Sequence, residues 1–524
     1  MQTHRLDYAR LIIISAMLVY TLIFSWIAYT KFESFHSTEP PDMAAHIQAI
    51  WNTSHGRFLQ QTVLYIGGLN HFYPILALFA PVLRLTHHVF ALLFLYSLLL
   101  ASGAAAVYLL ARDRLGSRHW GLFLGISYLL YPGLHYINLM DIKPIILSVP
   151  LLLFSFYFWQ ARHLRGFTMC LLLTSLVTEQ VAPVITMFAL LSWVRKRNMS
   201  WILLPLLIGI GTLVISMYVY VPFMSGAPYK HIRDHKFFSH VYLFSWRSYK
   251  YLFRFVGLAV PSLFSSWEPL ILAIPYLFFG TVAKSIYSHY YFPLTAILFI
   301  ALPFGIDRIR KWKALRAACS SPGRLMVVVG IALLGFYFLD PFLIRAKYRH
   351  PMTASDRAAW LLIRKIPQEA SVACDCSLLP ALALRKRLHE FSRIEDHGQE
   401  IEYLDVDYIL IDPRRPHRID RRQKDYADNA QALMAKTIRG RSRFEVIATE
   451  GIWVLFHRKG SSREWSKSRV PRCSPKDSVR SKIEHWPSRE SGEAQPEAGD
   501  SERAGSTGAE RIAGTALIGD LSDI

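Results

Sequence analysis

The chain has 524 residues, of which 52% are hydrophobic and 19% charged, and its formal net charge is +21. Apolar runs of membrane-spanning length recur from Leu11 to Ile344, which excludes a water-soluble globular fold over that range. The basic excess lies beside those runs and in the C-terminal third, where it reads as an orientation and lipid-headgroup signal; no nucleic-acid partner is expected.

Taken in chain order, a short basic N-terminus precedes the first run, Leu11–Tyr29. That run is longer than a signal-peptide core and lacks a cleavable exit, so it is expected to be a retained span. A long loop follows, from Lys31 to His88. It holds an amphipathic stretch, Met43–Trp51, expected to lie along the membrane surface with Trp51 at headgroup depth. Pro74–Leu83 is too short to span and is expected to be re-entrant or interfacial.

Further spans are expected at Val89–Ala111, Trp120–Ile137, Pro144–Gln160, Trp201–Pro222, Tyr290–Ile306 and Leu325–Ile344. Phe167–Val194 is interrupted at Thr178-Glu179-Gln180, and Tyr249–Ala283 by several prolines and Glu268; each reads as a pair of short helices. With both pairs, eleven segments result. The clusters at Arg112–Arg118, Arg162–Arg165, Arg195–Arg197 and Arg308–Arg316 then all fall on the cytoplasmic side with the N-terminus, as basic loops do. The expected location is the plasma (inner) membrane, with a helical bundle over 1–344 and the C-terminal part outside the cytoplasm.

After Ile344 the texture is that of a small α/β domain, 345–458. Helices are expected at Ala354–Ile366 and Leu378–Leu384, and strands at Ser371–Cys374, Tyr408–Ile411, Phe444–Ala448 and Trp453–Phe456. The last stretch, 459–524, is too polar to bury a core and is expected to be a disordered tail. The five cysteines are scattered; only Cys374 and Cys376 are close, too few for a closed zinc site, and no metal or cofactor is expected.

In the eleven-segment arrangement one set of polar residues converges outside the cytoplasm. The first loop supplies Glu39, Asp42, His46, Asn70 and His71, and the turn before Pro144 supplies Asn138, Asp141 and Lys143. Glu179 and Gln180 come from the break in the fifth region, and His289, Tyr290 and Tyr291 from the start of the tenth span. Ionisable groups at such depth are costly unless paired or hydrated, which makes them candidate site residues. Plainer readings stand beside this one. Asp42 could cap the amphipathic helix, Asp141 and Lys143 could form an interfacial pair, and His289 with its tyrosines could belong to an aromatic belt. Lys230 and Arg233 could meet lipid phosphate or simply flank a span.

These residues carry a resemblance. Asp42 through Trp51 followed by His55-Gly56-Arg57, Asn70-His71-Phe72-Tyr73-Pro74, Asp141-Ile142-Lys143-Pro144 and Thr178-Glu179-Gln180 occur in the order seen in one bacterial and archaeal family. Ser371-Val372-Ala373, Leu379-Pro380, Arg385 and Asp412-Pro413-Arg414-Arg415 extend the match. The chain resembles the predicted membrane proteins of the domain of unknown function twenty seventy-nine, whose layout is similar to the GT-C class of membrane glycosyltransferases. The resemblance implies a GT-C-like helical bundle with an outer α/β domain, a polyprenyl-phosphate-linked sugar as donor, and membrane lipids as surroundings. It implies Asp42 as the acid that activates the acceptor, Glu179 and Asp141 as secondary acids, and His71 as a donor-site residue; from the convergence itself Asn70, Lys143, Gln180, His289 and Tyr290 are expected around the substrate with them. Asn70 stands where the family has Asp, Lys143 where it has His, and Thr178 and Gln180 where it has Lys and Asp. The pocket therefore carries less negative charge and one more cation, which disfavours a metal-dependent version. A non-catalytic protein that binds or moves a lipid-linked substrate, or an envelope-assembly scaffold, is the alternative.

Overall fold

A computed structural model of the chain describes residues 8–64, 71–226, 267–279, 289–311, 321–339, 343, 347–393, 405–413 and 421–460. All of these belong to one compact unit, residues 1–475. Lys230, Arg233, the first half of the Tyr249–Ala283 pair and the polar C-terminal stretch lie outside them.

Among the described residues three helices are long and apolar enough to cross a membrane: Tyr8–Glu33 (α1), Val89–Leu115 and a continuous run from Met199 to Ser225. Shorter apolar helices pack around them, including Ser148–Gln160, Leu164–Ser175, Ala182–Val194 and Leu294–Lys311. The Phe167–Val194 region is two helices, as its polar interruption predicts, and Glu179 opens the second. The Trp120–Ile137 span is not one helix. It is Arg118–Leu130 and then Pro132–Asn138, because the proline disfavours a helical conformation at Tyr131, which is extended (φ −69°, ψ 122°).

Charge separates the two ends of the bundle. At one end Asp307 is buried between Arg114 (3.1 Å), Arg310 (3.0 Å) and Lys311 (2.9 Å), and Glu268 pairs with Arg195. At the other end lie the loop after α1 and the sheet domain.

That domain is a mixed five-stranded sheet in the order β2-β1-β3-β5-β4: β1 is Val372–Cys374, β2 Leu388–Glu390, β3 Tyr408–Ile411, β4 Phe444–Glu450 and β5 Trp453–Arg458. β1 runs parallel to β2 and β3, with Val372 opposite Leu388 and Tyr408; β5 is antiparallel to β3 and β4. Four buried residues in β3 match a strand covered on both faces. The expected helix at Leu378–Leu384 is two 3-10 turns, Cys376–Leu378 and Pro380–Leu382, because Pro380 cannot donate within a continuous helix. Sequence reading passed over β2 and the helix Arg421–Ile438.

The amphipathic stretch is indeed a helix, Pro40–Ser54 (α2), begun by prolines at its first two positions, where a missing N–H costs nothing. It is covered by protein on all sides instead of presenting an exposed apolar face. Every residue from Met43 to Asn52 is buried, and Trp51 is covered by the Arg57 guanidinium, 5.3 Å from its ring. Fully burying Ile47 and Ile50 contributes about 1.5–3 kcal/mol each. The polar face is buried against protein partners. Gln48 donates to the Arg385 and Lys386 carbonyls (3.1 and 3.2 Å), and Asn52 donates to the Gln60 carbonyl (2.9 Å). Thr62, in the loop after α2, exchanges hydrogen bonds with Leu388 (2.7 and 2.9 Å). The helix is thus clamped beneath the sheet domain.

Candidate functional site

α2 delivers Asp42 and His46 to one face, since residues four apart are neighbours on a helix. Glu39 is its N-cap residue, and no side chain caps the helix, so Asp42 does not serve as the cap. Asp42 is half exposed, 42%, and Glu39 similarly, 38%. The Lys143 ammonium, on a buried side chain, contacts both: it donates to Glu39 and lies 3.4 Å from Asp42 Oδ2. His46 Nδ1 lies 2.7 Å from the Ile142 carbonyl oxygen, which requires the proton on Nδ1.

Asp141 is not Lys143's partner. Its Oδ1 accepts from Lys31 (2.7 Å) and its Oδ2 from the Glu39 backbone N–H (2.9 Å). Lys31 in turn donates to Thr38 and to the Leu139 carbonyl, filling its three positions. Asp141 has φ +76°, a left-handed conformation that Asp adopts more readily than most residues. Both of its oxygens are engaged in fastening the end of α1 and the start of α2 to the turn before Pro144. Lys31→Met or Asp141→Ala leaves a buried charge unpaired, and each is expected to destabilise the protein by about 3–5 kcal/mol. Lys31→Met combined with Asp141→Asn, which removes both charges while keeping a residue that tolerates the left-handed backbone and can still accept from the Glu39 N–H, should recover much of that loss. Thermal unfolding of the detergent-solubilised protein measures it.

The second half of the site is built on Glu179. Its Oε1 is 2.6 Å from His71 Nδ1; its Oε2 accepts from the Phe72 backbone N–H (3.0 Å) and from Thr178 (3.2 Å). Burial opposes charge on His71, but the Glu179 carboxylate and the hydrogen bond to it raise the imidazole above its ordinary value, helped by Asp42. Burial draws His46 down, with Asp42 opposing, and holds His289 well below its usual range, reinforced by Lys143, His71 and His46. Asp42, His46, His71, Lys143, Glu179 and His289 therefore act on one another within a single electrostatic neighbourhood.

Gln180 flanks Glu179 with a buried side-chain oxygen. Asn138 bonds Ser97 and the Tyr20 hydroxyl instead of facing this cluster. Asn70 and the Tyr290 side chain lie outside the described residues. Sequence reasoning missed three contributors. Tyr73 packs its ring edge-on to His46 at 5.2 Å and lies 5.6 Å from His71. Tyr220, delivered by a π-helical turn at Ser216–Tyr220, packs on Phe72 at 4.9 Å; such turns are unreadable from hydropathy and recur at functional sites. Lys31 did carry a signal: a lysine ending a first span opposite the basic loops needs an acid.

A family model described as a predicted membrane protein (DUF2079) matches residues 38–450. The chain belongs to this family. No curated protein matches it by sequence. In three dimensions this DUF2079 protein is similar to ArnT from Cupriavidus metallidurans. The crystal structure of ArnT bound to undecaprenyl phosphate superposes with a TM-score of 0.53 at 12% identity, over 85% of this chain and 98% of that one. The apo structure gives 0.50 at 13% identity, over 84% and 97%. At these identities the likeness establishes the fold: a GT-C-like helical bundle carrying a small sheet domain.

Proposed function

We propose that this membrane protein transfers a sugar from a polyprenyl-phosphate donor, with its site and sheet domain on the non-cytoplasmic side of the plasma (inner) membrane. The observation that carries the reading is the gathering of one half-exposed acid, Asp42, a buried ammonium, Lys143, and a carboxylate-held imidazole, His71, at one end of a GT-C-like bundle. Support for the donor class comes from ArnT, whose structure holds undecaprenyl phosphate.

In this mechanism the acceptor hydroxyl attacks the anomeric carbon and gives its proton to Asp42. The bond from the anomeric carbon to the phosphate oxygen breaks, and the polyprenyl phosphate leaves with the bonding pair. Lys143 and protonated His71 balance the charge that develops on it. Because Lys143 already touches Asp42 and Glu39, a phosphate arriving at the ammonium competes for that contact and releases Asp42 to act as base. Glu179 and Asp141 are positioning residues: one holds His71, the other holds the turn that carries Lys143. Gln180 and His289 line the substrate.

His71 gives the reading a pH signature. Its folded pKa is raised, so the His71–Glu179 pair contributes stability fully below the ordinary histidine value and loses it as pH rises through the raised value. Burial and the nearby Lys31 draw the Lys143 amine down to about 7, so it loses its charge over the same range and transfer should fall along one alkaline limb. Glu179→Gln removes the raising charge, and the limb should move to lower pH in the pH–rate profile of kcat.

The deciding experiment supplies purified protein in liposomes with a radiolabelled polyprenyl-phosphate sugar. A covalent glycosyl product together with released polyprenyl phosphate supports transfer. Movement of the intact donor across the bilayer without any product supports the transport reading instead.

A further inference from the structure

We infer that a cleft between the end of α1 and the helix Ala354–Ile363 is a second site, one that binds the headgroup of a zwitterionic aminophospholipid. It shares no residue with the Asp42–Lys143–Glu179 cluster and does not depend on the sugar-transfer reading.

The cleft encloses about 560 Å³. Its place on the membrane surface follows from α1. Leu11, Leu18, Leu22 and Trp26 recur at helical spacing on one face and are strongly exposed, Leu22 at 60% and Trp26 at 61%. In a membrane helix that exposure is exposure to lipid chains. The same face continues, at the next three- and four-residue steps, to Tyr29 and Glu33, which line the cleft. The lipid-facing stripe thus runs directly into the cleft.

On the facing wall, Arg357 and Arg364 come from the sheet domain's first helix, with Trp360 between them. Trp360 is anchored by donating its indole N–H to the Glu33 carbonyl (2.8 Å), which holds that wall against α1. Among the described residues neither guanidinium has a carboxylate partner within ion-pairing distance; Arg357 donates only to the Met352 carbonyl (3.1 Å). Two guanidiniums beside an apolar floor are suited to a lipid phosphate, which they can meet in forked geometry. Glu33 supplies one carboxylate in the same cleft, next to the Tyr29 hydroxyl. A phosphate on the arginines and an ammonium on Glu33 match this charge order, with the acyl chains lying along Leu22 and Trp26. A purely anionic headgroup leaves Glu33 opposed.

The test uses the full chain purified in mild detergent, equilibrated with equimolar phosphatidylethanolamine and phosphatidylglycerol of the same acyl chains, then read by native mass spectrometry. Wild type should retain phosphatidylethanolamine preferentially. Arg357→Ala with Arg364→Ala should reduce retention of both lipids at least tenfold. Glu33→Gln should remove the preference while keeping binding. Arg357 and Arg364 are exposed and Glu33 is partly so, and unchanged elution on gel filtration confirms the fold. Retention unaffected by the arginine substitutions would overturn the site. Equal retention of the two lipids by wild type would overturn the headgroup assignment. Displacement of lipid by millimolar inorganic phosphate alone would show a free-phosphate site and count equally against it.

Discussion

Asp42→Asn should lower sugar transfer by about 10²–10⁴-fold while leaving expression and membrane insertion unchanged, the range expected when a positioned general base is lost. The amide keeps the shape and cannot take the proton. Asp42 is half exposed and does not cap α2, so the substitution removes little that holds the helix. A structural acid would show the reverse pattern, with lost stability and retained turnover in whatever folds. The comparison with Asp141→Ala makes this concrete: Asp141 is buried with both oxygens engaged, and its loss should appear in unfolding temperature first. Full transfer by Asp42→Asn would remove its assignment as the base.

Lys143→Met should be nearly as damaging, with transfer down by about 10²–10³-fold, the scale on which one preorganised charge stabilises a leaving group. Methionine preserves the length and apolar packing of the buried stem but leaves Glu39 and Asp42 facing a phosphate with no cation between. The phosphate should then bind more weakly, so KM rises as kcat falls. Lys143→Arg should recover part of the rate, since a guanidinium keeps the charge but needs more room than the buried ammonium occupies. Steady-state kinetics with the labelled donor, at fixed acceptor, separates the two parameters.

How much of this was legible beforehand can be judged residue by residue. The bundle was visible because spans announce themselves by length and hydropathy, and the break at Thr178-Glu179-Gln180 because an acid inside an apolar run is costly. The convergence of Asp42, His71, Lys143 and Glu179 followed from placing the basic loops on one side, and the geometry keeps these four together. What hydropathy could not supply is pairing. It suggested Asp141 with Lys143, whereas the chain crosses them over, Asp141 to Lys31 and Lys143 to Glu39 and Asp42. The amphipathic stretch of α2 looked like a surface helix because amphipathicity says that two faces differ, not what covers the polar one; here that cover is the loop near Gln60 and the Arg385–Lys386 backbone. The π-helical turn that presents Tyr220 left no trace in periodicity at all.

Cysteine accessibility tests the central claim most directly: that Asp42 and the Glu179 region face one wet pocket turned away from the cytosol. In a background with the five native cysteines replaced, Asp42→Cys, Gln180→Cys and Arg308→Cys are each exposed to a membrane-impermeant maleimide in intact cells. The account predicts labelling at 42 and 180 without permeabilisation, protection of both by added polyprenyl phosphate, and labelling at 308 only once the membrane is opened. Labelling of 42 and 180 from opposite sides would contradict it.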